Sequence, residues 1–380
     1  VSGKLGGWVA NLSLVAVASM LTLLGFEVSL RVFLPQKLYR YPVGLFRNDP
    51  DLDFSLSPGF RGEFRNPEYV TDVRINSLGL RGTETQPKRE GVPRVLGLGD
   101  SFASAFNVEE GQTFLTVTET ILRETLPGAQ AEVINAGAPN YGTWHELRMF
   151  RRLVPMLQPD AVVLAAYVGN DLENNLDPQD AVVLDGLLLS RTRKPGILPQ
   201  SLRSWLQIHS MAYVFLWNGW SQVRPWFGQK PVDPLKSEKE LVSPARVEKV
   251  EKGYRVTAAI LSQLRDDAES AGIPLFVVVI PAEFQVYPDR FSRLVRKQGL
   301  DPEIFDFDLP QKRWVDMARA ANLPVLDLLP IFRSRRAGPY LYMSLDGHLT
   351  VEGNRLAGES LAQFLLPYLS PPVGIRNIAN

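Results

Sequence analysis

Apolar positions along the chain follow different periods in different stretches, and the changes of period divide it. Residues 8–26 (WVANLSLVAVASMLTLLGF) form an uncharged run of 19 residues. That is about what a helix needs to cross a ~30 Å hydrocarbon layer. Glu27 and Arg31 follow, four apart, the spacing at which opposite charges meet on one helix face. The run is expected to be a membrane anchor, against a cleaved signal peptide or a buried core helix. Gly25-Phe26-Glu27 is a poor cleavage site, and only Asn11, Ser13, Ser19 and Thr22 interrupt the apolar character.

Residues 36–90 are rich in Pro, Gly, Asp and Arg, with a strand-like alternation at 69–75. From about residue 91 short apolar strands are predicted at 94–99, 132–136, 161–168, 275–280 and 323–327. Helix-period segments at 113–126, 144–157, 247–271, 312–322 and 353–366 alternate with them. Such alternation implies βαβ units, a parallel sheet and an α/β fold. It is interrupted over 175–245, which carries Trp205, Trp217, Trp220 and Trp226. The 201–220 part of this insertion is apolar enough to lie on a membrane, cover a site, meet a partner, or simply pack as a helix on the main domain. The expected organisation is an anchor (1–35), a β-containing lead-in (36–90), an α/β domain in two parts (91–174 and 246–370) around the insertion (175–245), and a tail (371–380).

Charge and composition narrow the chemistry. Lys plus Arg and Asp plus Glu both number 41, so no basic excess points to a nucleic-acid partner. With no cysteine, disulfides, thiolate metal sites and cysteine nucleophiles are excluded. His145, His209 and His348 are the only histidines; a three-histidine zinc site would consume all of them and is set aside. Lys4 precedes the apolar run, and Arg31, Lys37, Arg40 and Arg47 follow it. The positive-inside rule alone would place the large C-terminal part in the cytoplasm. In a sequence that opens on Val1, this charge count does not settle the side.

Four short motifs fall where chemistry is expected. Gly97-Leu98-Gly99-Asp100-Ser101-Phe102 ends the first strand, and ligands bind at the strand ends of open α/β sheets. Asp100 or Ser101 could equally be a plain helix N-cap. Gly137, in Asn135–Gly142 (NAGAPNYG), follows the second strand, and Gly169-Asn170-Asp171 the third; each is also an ordinary turn. Asp346-Gly347-His348 lies near the C-terminus, where a carboxylate beside a histidine is a base with its orienting acid, or a surface pair. His145 and His209 lack such company. Together the four supply a nucleophile, oxyanion donors, a base and an acid, the parts of acyl transfer.

With these motifs in this order, the chain resembles the SGNH (GDSL-type) hydrolase superfamily, in its membrane-anchored branch. The blocks are GDSF around Ser101, NAGAPNYG around Gly137, GND around Asn170 and DGH around His348; INSLGLRG (75–82) is similar to anchored members. The resemblance implies a flavodoxin-like three-layer α/β/α domain with a parallel sheet, plus one N-terminal transmembrane helix. It implies Ser101 as nucleophile, His348 as base and Asp346 as its partner. The oxyanion hole would be the Ser101 N–H, the Gly137 N–H and the Asn170 side chain. It further implies an acyl ester or carbohydrate substrate, no metal or cofactor, and a bilayer partner through residues 8–34. The setting would be the bacterial inner membrane, with the globular part periplasmic. The other reading is a non-catalytic SGNH-fold subunit of a membrane protein complex. Asp and His stand two apart where many members have three, and Ala105, Asn140 and Asn354 depart from residues common in the family.

Overall fold

A computed structural model describes residues 2–34, 42–66, 68–126, 128, 130–184, 186–191, 198–223, 235–245 and 247–369. The expected tail thus lies outside the described residues, as do 35–41 and parts of the expected insertion. Two compact units emerge: Val1–Tyr41, Arg65–Pro67 and Arg193–Asp233 in one; Pro42–Phe64, Glu68–Thr192 and Pro234–Asn380 in the other.

In the larger unit, strands β1 (Arg94–Gly99), β2 (Glu132–Asn135), β3 (Ala161–Tyr167), β4 (Leu275–Ile280) and β5 (Val325–Asp327) form one sheet in the order β5-β4-β3-β1-β2. All four pairings are parallel. This is the flavodoxin-like order. The strands read as continuous apolar runs because both faces of the sheet are covered. Leu96, Leu98, Leu164 and Val277 pack with Phe150, Leu261 and Trp314 from helices Thr143–Leu157, Glu248–Ser270 and Leu309–Ala320. Their neighbours Val95, Val163 and Val278 point the other way, onto Phe114, Phe332 and Leu361 from helices Phe114–Thr125, Leu329–Arg335 and Val351–Leu369. The three-layer α/β/α expectation is met.

Leu164 sits on the middle strand and is fully buried. Leu164→Ala is expected to lower unfolding free energy by about 3 kcal/mol, from lost burial plus the cavity left behind. Urea unfolding of detergent-solubilised protein checks this as a lower midpoint at unchanged slope.

Register brings the strand ends to one edge. Gly97 pairs with Asn135, Gly99 with Ala165 and Ile280 with Tyr167, so the segments that follow β1 to β4 leave the sheet together. The lead-in contributes a hairpin, Phe46–Asp49 with Asp53–Leu56, and a strand at Val70–Arg74. The expected insertion is divided. Its first part is a hairpin, Ala181–Leu184 with Leu187–Ser190, held in the larger unit by two bonds between the Asn48 side chain and the Val183 backbone (3.0 and 2.9 Å).

In the smaller unit, Ser2–Phe33 is a helix, and its segment Asn11–Phe33 is long and apolar enough to cross a membrane, with a mean hydropathy of 1.8 and none of its apolar window buried. A signal sequence meets the same test of length and composition. Gln200–His209 and Met211–Val223 are also helices of this unit.

Candidate active site

The first motif forms a strand–turn–helix. Asp100 is the N-cap, its Oδ1 accepting from the Phe102 N–H at 2.8 Å, so capping falls to Asp100 and leaves Ser101 free. Ser101 opens the short helix Ser101–Ser104. Its Oγ lies 2.8 Å from His348 Nε2. On the other side of the ring, His348 Nδ1 lies 2.9 Å from Asp346 Oδ1. An ionised carboxylate only accepts, so Nδ1 donates and the neutral ring is left with Nε2 as acceptor for the serine proton. The Tyr69 hydroxyl donates to Asp346 Oδ2 at 2.7 Å. Glu68 accepts from the Leu345 and Asp346 N–H groups at 2.9 and 2.8 Å, fixing the loop itself. Burial alone would raise the Asp346 carboxyl; the bond from His348, its charge and the Tyr69 hydroxyl outweigh that and hold it below the usual carboxylate value.

Gly347 explains how a two-residue spacing suffices. Its φ of +77° makes a left-handed turn between Asp346 and His348 that an L side chain would strain. The two flanking side chains then meet across the turn.

The loop carrying Ser101 is pinned from three sides. Arg81, from the INSLGLRG stretch, is buried, donates to the Ser104 and Val108 carbonyls, and lies over the Phe106 ring at 5.2 Å. Asn135 Nδ2 donates to the Ala103 carbonyl at 2.7 Å. Asn107 Nδ2 donates to the Leu349 carbonyl at 2.7 Å, tying the serine loop to the histidine loop.

Ser101, Asn140, Asn170, Asp346 and His348 line one cavity of about 550 Å³, walled further by Glu283, Tyr287, Arg290 and Phe291. Gly137 is not among its lining residues. The Gly137 N–H donates to Asn135 Oδ1 at 3.0 Å, and a Cβ there would stand 2.6 Å from the Ser104 backbone nitrogen. This glycine therefore serves close packing, and the expected N–H donor is already used. Asn140, three residues on, takes its place at the cavity. Its φ is +65°, a conformation asparagine tolerates better than most residues, and its N–H has no acceptor among the described residues.

Two other departures have structural roles. Ala105 ends the short helix at φ +46° and is buried. Asn354 is buried, accepting from the Phe114 N–H at 3.0 Å and donating to the Leu349 and Thr350 carbonyls. His145 is a core residue stacked on Tyr141, 4.7 Å between ring centroids, and burial pushes its pKa down to about 4. His209 lies in the smaller unit, stacked on Trp205.

Three buried carboxyls, Asp100, Glu146 and Asp171, feel one another's charge. Burial raises Asp100 to about 6, against the Phe102 N–H bond, the His348 charge and the Asn170 amide, which favour its charged form. Burial and the Asp100 charge push Glu146 well up, and with Glu146 they do the same to Asp171. Neither Glu146 carboxyl oxygen has a hydrogen-bond partner among the described residues. A carboxyl raised on folding makes the folded chain bind more protons than the unfolded one above the unfolded value. Its effect is therefore to lower stability as pH rises beyond about 4. Glu146→Gln is expected to raise the urea midpoint at pH 7 and to raise it less at pH 4. Equal shifts at both values would contradict this.

A family model described as an SGNH hydrolase-like domain, acetyltransferase AlgX, matches residues 239–373, the stretch that holds Asp346 and His348. A comparison with curated proteins finds no match. Among solved structures, the chain is similar to a catalytic mutant of Axe2, an acetylxylan esterase from Geobacillus stearothermophilus. That likeness has 12% identity, covers 75% of this chain and 96% of the other, and has a TM-score of 0.39. It is also similar to the lipase/acylhydrolase from Enterococcus faecalis (16% identity, 74% and 98% covered, TM-score 0.39). The family match covers residues 239–373; with the flavodoxin-like sheet order and the meeting of Ser101, His348 and Asp346, it makes the chain similar to SGNH hydrolase-like proteins.

Proposed function

We propose that this chain is a serine esterase or O-acyltransferase that forms an acyl-enzyme on Ser101 and acts on acylated carbohydrate. The observation that carries the reading is the hydrogen-bonded series Ser101–His348–Asp346–Tyr69, whose first three members line an open cavity. Ser101 Oγ attacks the ester carbonyl carbon while its proton passes to His348 Nε2. The carbonyl oxygen becomes an oxyanion, for which the Ser101 N–H, the Asn140 N–H and the Asn170 side chain are the donors. Collapse breaks the bond to the alkoxy oxygen, which takes the proton back from His348 and leaves. Asp346 stabilises the transient imidazolium, and its own bond from Tyr69 keeps it turned toward Nδ1. Water then completes hydrolysis, or a sugar hydroxyl completes transfer, by the same steps reversed. Each proton and bond is accounted for by these side chains, so the proposed steps draw on no cofactor.

The acetyltransferase description of the family match supports acyl transfer. A cavity lined by the aromatic Tyr287 and Phe291 together with the charged Arg290 and Glu283 supports a carbohydrate substrate. We read residues 8–34 as the tether to a bacterial inner membrane, with the domain on the periplasmic side; the length and composition of Asn11–Phe33 support the tether alone.

The test is turnover of p-nitrophenyl acetate with and without an oligosaccharide acceptor. Acetate alone identifies a hydrolase, and acetylated sugar by mass identifies a transferase. Folded protein that turns over no short acyl ester contradicts the proposal. Tyr69→Phe is expected to lower kcat/KM about tenfold, the value of one hydrogen bond to a charged group. It is read in the same assay and should fall mainly on kcat, because Tyr69 acts through Asp346.

A further inference from the structure

The smaller unit carries an apolar surface that the catalytic proposal does not use. Helix Met211–Val223 contains no charged residue. Its Phe215 ring meets Phe26 of the N-terminal helix edge-on, 5.8 Å between centroids. Glu27, the next residue, accepts from Ser210 Oγ at 2.9 Å, from the Met211 N–H at 3.0 Å and from the Ala212 N–H at 2.9 Å. These are the open N–H groups and cap of that helix. Arg31 pairs with Glu27 at 2.7 Å and donates to the His209 carbonyl at 2.7 Å, where helix Gln200–His209 ends. One ion pair, placed where the uncharged run stops, thus satisfies the junction of two helices.

Leu202, Trp205, Leu216 and Trp217 of these helices stay 41–55% exposed. The Arg203 guanidinium lies over the Trp217 ring at 4.6 Å. Charge along the sequence is one-sided: residues 192–232 contain Arg193, Lys194, Arg203, Arg224 and Lys230 and no Asp or Glu. Aromatic rings with cations and without acids, continuous with a helix of mean hydropathy 1.8 that has none of its apolar window buried, match the headgroup layer of an anionic membrane.

We infer that helices Gln200–His209 and Met211–Val223 lie in the headgroup layer of an anionic phospholipid bilayer, with Trp205, Leu216 and Trp217 against the acyl chains and Glu27 clamping them to the anchor. This rests on the reading of the N-terminal helix as a membrane span. The function of the arrangement is to make the tether a broad footing on the lipid surface.

The chain has no cysteine, so single nitroxide labels are placed directly. Leu216→Cys, Leu14→Cys and Glu303→Cys are labelled in full-length protein reconstituted into phosphatidylcholine vesicles containing phosphatidylglycerol. Collisions with oxygen, which concentrates in lipid, are compared with collisions with a water-soluble nickel chelate. The expected oxygen-to-nickel ratio at 216 and 14 is several-fold above that at 303, which is exposed in the larger unit. In Glu27→Gln protein, or in phosphatidylcholine alone, the ratio at 216 should fall while that at 14 holds. A ratio at 216 equal to that at 303, with 14 still high, overturns the inference and leaves the span intact. A low ratio at 14 as well overturns the span. A label at 216 shielded from both reagents overturns the inference in favour of a protein partner or a second copy. No change at 216 in Glu27→Gln removes the clamp, and none in phosphatidylcholine alone removes the preference for anionic lipid.

Discussion

Ser101→Ala is expected to lower kcat/KM for p-nitrophenyl acetate by about 10,000- to 1,000,000-fold, the range for losing a nucleophile that works as a unit with its base. The cause is local. Ser101 Oγ is the one atom of the proposed nucleophile, and alanine leaves His348 Nε2 with no proton to take. The fold should be preserved. Asp100, not Ser101, caps the short helix, and the pins from Arg81 and Asn135 hold backbone carbonyls that alanine retains. A normal far-ultraviolet spectrum and urea midpoint alongside the lost activity separate chemistry from misfolding. A loss of less than tenfold would mean that another group carries the acyl chain.

Asp346→Asn is expected to be the next most damaging change, costing about 1,000- to 10,000-fold in kcat/KM at pH 7 to 8. The shape of the side chain is kept, so the reason is protons. An amide presented to His348 Nδ1 by its NH₂ group stabilises the wrong tautomer, and Nε2 then holds a proton and no longer accepts one from Ser101. Asp346 itself is held below the usual carboxylate range by His348 and Tyr69, which outweigh its burial, so it is ionised throughout the assay range. A depressed carboxyl contributes stability that is present above its unfolded value and lost only as pH falls through the folded one. The Asp346→Asn variant should therefore differ from wild type in stability at pH 7 and converge with it in acid. The double variant Ser101→Ala/Asp346→Asn should be little worse than Ser101→Ala alone.

The sheet was legible because its inner strands, Arg94–Gly99, Ala161–Tyr167 and Leu275–Ile280, are buried on both faces and so appear as nearly unbroken apolar runs. Edges were less so: the strand expected at 323–327 is only Val325–Asp327, since Pro324 follows a left-handed turn at Asn322. The helix expected from 312 starts at Leu309, because a proline near the N-terminus begins a helix as readily as it breaks one. Ser101, His348 and Asp346 could be read from motif order. Gly137 could not be read correctly, because a glycine required by a close backbone approach looks the same in sequence as one required by a ligand. Asn140 stood out only as a departure from the family pattern and was not read as the proposed donor, because a positive φ at a residue other than glycine leaves little trace. Tyr69 and Glu68 act from the lead-in, 277 residues from the loop they hold, and nothing in their spacing announces it. Arg81 had one signal, the INSLGLRG stretch, whose role as a pin for the Ser101 loop needed the structure. The helices Gln200–His209 and Met211–Val223 were legible as apolar and aromatic; their junction with Glu27 and Arg31 was not.

The central claim is that Ser101 is an activated nucleophile. Its most direct test is intact-mass analysis after exposure of detergent-solubilised protein to a fluorescent alkyl phosphonate, with Ser101→Ala as the comparison. The account predicts one phosphonate adduct on Ser101 in the wild type and none in the variant. Folded wild-type protein that stays unlabelled would contradict it and favour a non-catalytic scaffold built on the same fold.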